Sequence, residues 1–65
     1  MRITVESRDV NKTVMLKGKT VKELMRQIRL SPENFVVSRN GAIVLGNEML
    51  KDKDRIKLFP VVSGG

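Results

Sequence analysis

The sequence predicts an α+β roll, a mixed four- to five-stranded sheet with one main helix packed on one face. Three observations predict it. Apolar and polar residues alternate at the start of the chain and again after a polar turn. A capped, amphipathic stretch follows from Thr20. An Asn-Gly pair then separates two β-rich runs, and a last alternating run comes after a polar connection.

Met1, Ile3 and Val5 alternate with Arg2, Thr4 and Glu6, the period-two pattern of a half-buried strand. Ser7 to Lys12 is polar and contains Asp9 and Asn11, a turn composition. Val14 and Leu16 then alternate with Thr13, Met15 and Lys17, which makes a second strand and a hairpin, closed by Gly18. Thr20-Val21-Lys22-Glu23 matches the capping box, in which the threonine hydroxyl accepts from a first-turn amide while the glutamate reaches back to the cap. Val21, Leu24, Met25 and Ile28 form one apolar stripe on the helix that follows. Pro32 is expected to end it, because the residue before a proline avoids helical dihedrals.

Phe35 to Arg39 and Ala42 to Leu45 flank Asn40-Gly41, the strongest short-range hairpin signal, since both residues tolerate positive φ. Three contiguous apolar residues leave the facing of the Phe35 strand open. In the connection from Gly46 to Asp54, either Met49 or Leu50 is expected to plug the core. Arg55 to Val62 reads as the last strand, with Ile56 and Leu58 on one face and Lys57 and Phe59 on the other. Two hairpins joined through one crossing helix bring the first and last strands side by side in the middle, the β-grasp arrangement. Residues 1–62 are expected to form that domain, and Ser63-Gly64-Gly65 a flexible tail.

Composition removes whole classes of chemistry. The chain of 65 residues has no Cys and no His, so disulfides, thiolate nucleophiles, imidazole acid–base work and Cys/His metal sites are excluded. Asp52 and Asp54 are paired in Lys51-Asp52-Lys53-Asp54, but their flanking cations oppose the raised pKa that one member of a catalytic carboxylate pair needs. The segment reads as a solvated turn. No enzyme, bound cofactor or metal is expected. The longest apolar runs, Ala42 to Leu45 and Leu58 to Val62, fall far short of a membrane span, and the start has no signal-peptide pattern. A cytoplasmic monomer is the expectation.

Thirteen Lys and Arg against seven Asp and Glu leave a formal charge of +6. The excess is concentrated in residues 1–31, where Lys22, Arg26 and Arg29 fall at helical spacing. A small basic RNA-associated domain is therefore one alternative, although two Phe and no other aromatic residue offer few stacking platforms for bases.

The end of the chain is the feature that calls for a function. Two glycines after Val61-Val62-Ser63 make a segment nearly without side chains, suited to a tunnel in which a Cβ would collide. Such a tail delivers a carboxylate, that of Gly65, which becomes an electrophile once a partner transfers AMP to it from ATP. Phe59-Pro60-Val61-Val62-Ser63-Gly64-Gly65 resembles the C-terminal signature of the ThiS/MoaD family of ubiquitin-like sulfur carriers. Val37-Ser38-Arg39-Asn40-Gly41 resembles that family's third-strand hairpin, and Leu50 to Ile56 its L-x-D-G-D-x-V segment. Lys53 stands where the family usually has Gly, so a turn that needs positive φ there would strain it.

The resemblance implies a small carrier adenylated at Gly65 by a ubiquitin-activating-type enzyme that uses ATP. Its adenylate would be converted to a thiocarboxylate, and the sulfur delivered to a sulfur-accepting synthase subunit for thiazole, molybdopterin or tRNA thiolation chemistry. The family also includes archaeal small modifiers, so conjugation of Gly65 to target-protein lysines is a second implied role. Phe59 is expected either as an exposed anchor for the activating enzyme or tucked into a secondary cluster. Pro60 lacks an amide and is expected to mark where the strand's ladder frays and frees the tail. Val61, Val62 and Ser63 complete the partner-binding segment, with Gly64 and Gly65 as the activated end.

Overall fold

The alternation of Ile3 and Val5 with polar neighbours forms β1 (Arg2–Glu6), and β2 (Asn11–Met15) pairs with it in antiparallel register, Ile3 opposite Val14. The computed structural model describes residues 1–8 and 10–61. The second strand starts two residues before the alternation at Thr13, because Asn11 and Lys12 are held opposite Glu6 and Val5 by the ladder, whatever their polarity. Helix α1 (Val21–Gln27) crosses to β3 (Phe35–Arg39) through a 3-10 turn at Pro32–Asn34. The chain then runs into β4 (Ala42–Val44) and on into β5 (Arg55–Pro60). The sheet order is β2-β1-β5-β3-β4, with β1 and β5 parallel at its centre. This is the β-grasp topology expected from the element order.

The helix begins as its sequence specifies. Thr20 Oγ1 accepts from the Glu23 amide at 3.2 Å, while the Glu23 carboxylate accepts from the Lys19 amide at 3.1 Å and from the Thr20 hydroxyl. The glutamate thus satisfies the amide one residue before the cap. The next orphan amides go to the long connection: Val21 N–H donates to Glu48 O and Lys22 N–H to Gly46 O. The helix ends earlier than Pro32, at Gln27 with Ile28 as its cap. Arg29 adopts φ 63°, and the amides of Arg29 and Leu30 donate to Arg26 O and Met25 O. That is the Schellman arrangement, with an arginine in the left-handed position where glycine is usual. Pro32 opens the 3-10 turn instead of stopping the helix.

Between α1 and the sheet lies one core, in which Ile3, Leu24, Met25, Ile56 and Val21 are the most completely enclosed. Each such side chain contributes roughly 1.5–3 kcal/mol of burial. Leu50 is buried and Met49 exposed, so Leu50 is the plug, held by its amide on Lys19 O at 2.7 Å. The Asn40-Gly41 loop has φ values of 50° and 92°, as a type I′ turn requires. It sets Ser38 opposite Ile43 and Val37 opposite Val44. That register resolves the β3 facing: Val37 is buried, Phe35 packs against the core, and Val36 lies on the far side.

The Lys51–Asp54 turn closes through Asp54 N–H to Lys51 O, and Lys53 has φ 72°. Positive φ at this position alone marks a type II turn, whose third residue favours glycine. Lys53→Gly is therefore expected to stabilise the domain by up to about 1 kcal/mol, the strain relieved exceeding the entropy that glycine adds to the unfolded chain. Thermal unfolding would register this as a rise of a few degrees, about 4–8 °C per kcal/mol at this size.

Candidate functional site

The last strand carries the predicted site residues towards the chain end. Asn40 N–H donates to Arg55 O and Val61 N–H to Asn34 O, both at 2.8 Å. Antiparallel ladders alternate, so Arg55, Lys57, Phe59 and Val61 turn their backbone groups to β3, while Leu58 and Pro60 turn theirs the other way. Pro60 therefore removes no bond to β3. The ladder does not fray at Pro60, as its missing amide suggested; it continues one residue further, to Val61. On the opposite edge, β1 stays beside β5 only as far as Glu6 opposite Lys57. A groove of about 400 Å³ lies there, between Ser7 and Arg8 on one side and Leu58 to Pro60 on the other.

Phe59 is 48% exposed, on the sheet face away from α1 and directly opposite Val36. Of the two readings of Phe59, the accessible one describes its surroundings. Ile43, 67% exposed, lies one row along, across Ser38 from Lys57, and completes an apolar corner with Val36 and Phe59. Val61 is half-exposed and Pro60 exposed. Val62, Ser63, Gly64 and Gly65 lie outside the described residues, as does the expected continuation of the last strand to Val62. Val36 and Ile43 were not singled out in the sequence as neighbours of Phe59 on this face, although the two-residue turn at Asn40-Gly41 already fixes Ile43 on the same face as Ser38.

At the other end of β5 the chain is tied down. Asp54 is 6% exposed, and its carboxylate accepts from Arg39 Nε at 2.7 Å, the Lys51 amide at 2.7 Å and Asn40 Nδ2 at 3.0 Å. Arg39 also donates to Glu48 at 3.0 Å, and the Arg55 amide donates to Asn40 Oδ1. Burial opposes ionisation of Asp54, but the Lys51 amide, Arg39 and Asn40 together outweigh it and hold the carboxyl below its ordinary value. The hydrogen bond to Asp54 raises the Arg39 guanidinium in turn. The solvated-turn reading of the paired aspartates therefore holds only for Asp52, which is exposed and accepts from the Arg2 amide. Asp54 is instead a structural ion pair joining the β3–β4 hairpin to the start of β5.

The basic stripe is shorter than its spacing suggested. Lys22 and Arg26 are on α1, but Arg29 follows the helix in the left-handed conformation and is not on the same helical face. No helix among the described residues is long and apolar enough to cross a membrane. Among the described residues, no group of three or more Asp or Glu gathers as metal ligands would.

Comparison with known proteins agrees with this geometry. The profile described as the ThiS family matches residues 1–65. SAMP1 from Haloferax volcanii superposes with a TM-score of 0.76 at 20% identity, each chain covered completely. A chain from the complex of subunits 1 and 2 of the molybdopterin-converting factor from Helicobacter pylori gives 0.72 at 25% identity, again with both chains fully covered. A ubiquitin-like protein from Trypanosoma brucei gives 0.69 at 14% identity, with 94% of each chain covered.

Proposed function

The chain belongs to the ThiS family, and from that premise we propose that it is a ubiquitin-like sulfur carrier, not itself a catalyst, whose active group is the Gly65 carboxylate. A ubiquitin-activating-type enzyme binds the sheet face around Phe59 and takes the segment from Pro60 to Gly64 into its active site. The carboxylate attacks ATP and pyrophosphate leaves; hydrosulfide then displaces AMP from the acyl adenylate, gives its proton to solvent and leaves a thiocarboxylate. A synthase subunit in the cytoplasm accepts that sulfur. Among the supports, the family match that includes Gly64 and Gly65 carries the most weight. The absence of cysteine and histidine from the chain leaves the C-terminus as the place to hold sulfur. The likeness to a chain from the two-subunit molybdopterin-converting factor complex supports an acceptor of the synthase kind.

Protein isolated from its own host is expected to show, by intact-mass spectrometry, a fraction in which one C-terminal oxygen is replaced by sulfur. Absence of that shift, even after incubation with the activating enzyme, ATP and a sulfur donor, would count against the carrier. A ladder of larger conjugates in a lysate containing tagged chain would instead identify Gly65 as the donor of isopeptide bonds to lysines, the modifier role that shares the adenylation step.

A further inference from the structure

The sheet face opposite α1 is uneven in charge. Among the described strand residues on that face, Arg2, Arg55 and Lys57 are cationic and Glu6 is the one carboxylate. The cations form a band down the two central strands, with Arg55 opposite Thr4 and Lys57 opposite Glu6. Lys57 is two residues from Phe59 on the same face, so the band begins beside the apolar corner. Glu6 lies 3.7 Å from Arg55 Nη2 and 3.9 Å from Lys57 Nζ, drawing both head groups towards the sheet centre. Their side chains nevertheless stay 72% and 59% exposed. One carboxylate facing two cations leaves a surplus, and loose exposed pairs are free to re-form across an interface.

We propose that this band, acting with Phe59, Val36 and Ile43, selects the activating enzyme, whose matching face presents carboxylates to Arg55 and Lys57 and an apolar pocket to Phe59. The proposal rests on the sulfur-carrier reading and adds to it the charge of the partner. An acidic protein surface fits better than a nucleic acid, because the apolar corner continuous with the band has no counterpart on a phosphate backbone. The charges steer encounter and set salt dependence, while the desolvated aromatic anchor sets the lifetime of the complex.

The test is ATP–pyrophosphate exchange by the host's activating-type enzyme with the full-length chain, at low and at physiological salt. Arg55→Glu/Lys57→Glu is expected to raise KM for the chain by about tenfold or more with kcat unchanged, and to abolish the rise of the wild-type KM with salt. Glu6→Gln is expected to lower KM by roughly two- to threefold at low salt, a gain that damaged folding cannot produce. Lys22→Glu/Arg26→Glu, on the helix side, is expected to leave KM unaltered. A double reversal on the sheet face that behaves like the one on the helix, or a wild-type KM indifferent to salt, overturns the proposal. So does a sheet-face reversal that keeps its exchange kinetics while losing affinity for host RNA, which would make the band a nucleic-acid surface. A wild-type chain that supports no exchange sinks the sulfur-carrier reading itself, an outcome distinct from failure of the charge band alone.

Discussion

Removal of Gly64 and Gly65 is expected to lower adenylation of the chain by more than about a hundredfold, since displacing a reacting group by even an ångström has effects of that order. The loss should appear in kcat/KM for pyrophosphate exchange. Stability should stay within about 0.5 kcal/mol of the wild type. The reason is spatial: the last described core residue is Leu58, and the last described backbone bond is that of the Val61 amide to Asn34. The deletion removes none of these. One residue added after Gly65 is expected to be equally damaging, because it moves the carboxylate on by one residue. Full exchange activity in either variant would show that Gly65 is not the reacting end. The basic RNA-associated alternative predicts the opposite outcome: an indifferent tail, and a protein disabled by charge reversal at Lys22, Arg26 and Arg29.

The second large effect is expected at Asp54. Replacing it with Ala removes the acceptor for Arg39, Asn40 and the Lys51 amide together. Breaking a buried pair on one side typically destabilises by 3–5 kcal/mol; about 3 kcal/mol is expected here because Arg39 can reach water. A domain of this size has a net stability of roughly 3–10 kcal/mol, so Asp54→Ala is expected to lose about a third of it or more and to unfold at clearly lower urea than the wild type. The pH dependence has a definite sign. The folded-state pKa of Asp54 lies below its ordinary 3.8, so its stabilisation is fully present above that value. It is lost as pH falls from 3.8 through the lower folded value. Asp54→Asn should flatten this acid limb but not abolish it, because hydrogen bonds from the Lys19 amide and Thr20 also lower Glu23. A variant whose acid unfolding coincides with the wild type would contradict this account.

What could be read from residues was whatever local chemistry decides. Thr20 and Glu23 specify the helix start because both partners of the cap lie within one turn. Asn40-Gly41 specifies a hairpin because its dihedrals exclude most other residues. The helix end was misplaced at Pro32 because Arg29 occupies a conformation that its side chain does not advertise, in a Schellman turn that also engages Leu30. Lys53 was suspect from the resemblance alone, and its φ of 72° bears out that concern. Asp54 was misread because its partners Arg39 and Asn40 are fifteen and fourteen residues away, and nothing in a run of alternating charge tells which carboxylate turns inward. At the site itself, alternation put Phe59 on the right face. The band of cations around it emerged only when β1 and β5 were placed side by side.

The order of strands bears on how the molecule is made. The strand at the middle of the sheet, β5, is the last of the described strands to be synthesised, and it is the one that joins the β1–β2 ribbon to the β3–β4 ribbon. A nascent chain that has emerged only as far as Leu50 holds two separate ribbons and no seam between them. Translation that stalls or terminates early therefore yields a product unable to zip up and open to proteolysis. On the sulfur-carrier reading proposed above, the Gly65 carboxylate is ready for activation only after the strand that leads to it has completed the sheet.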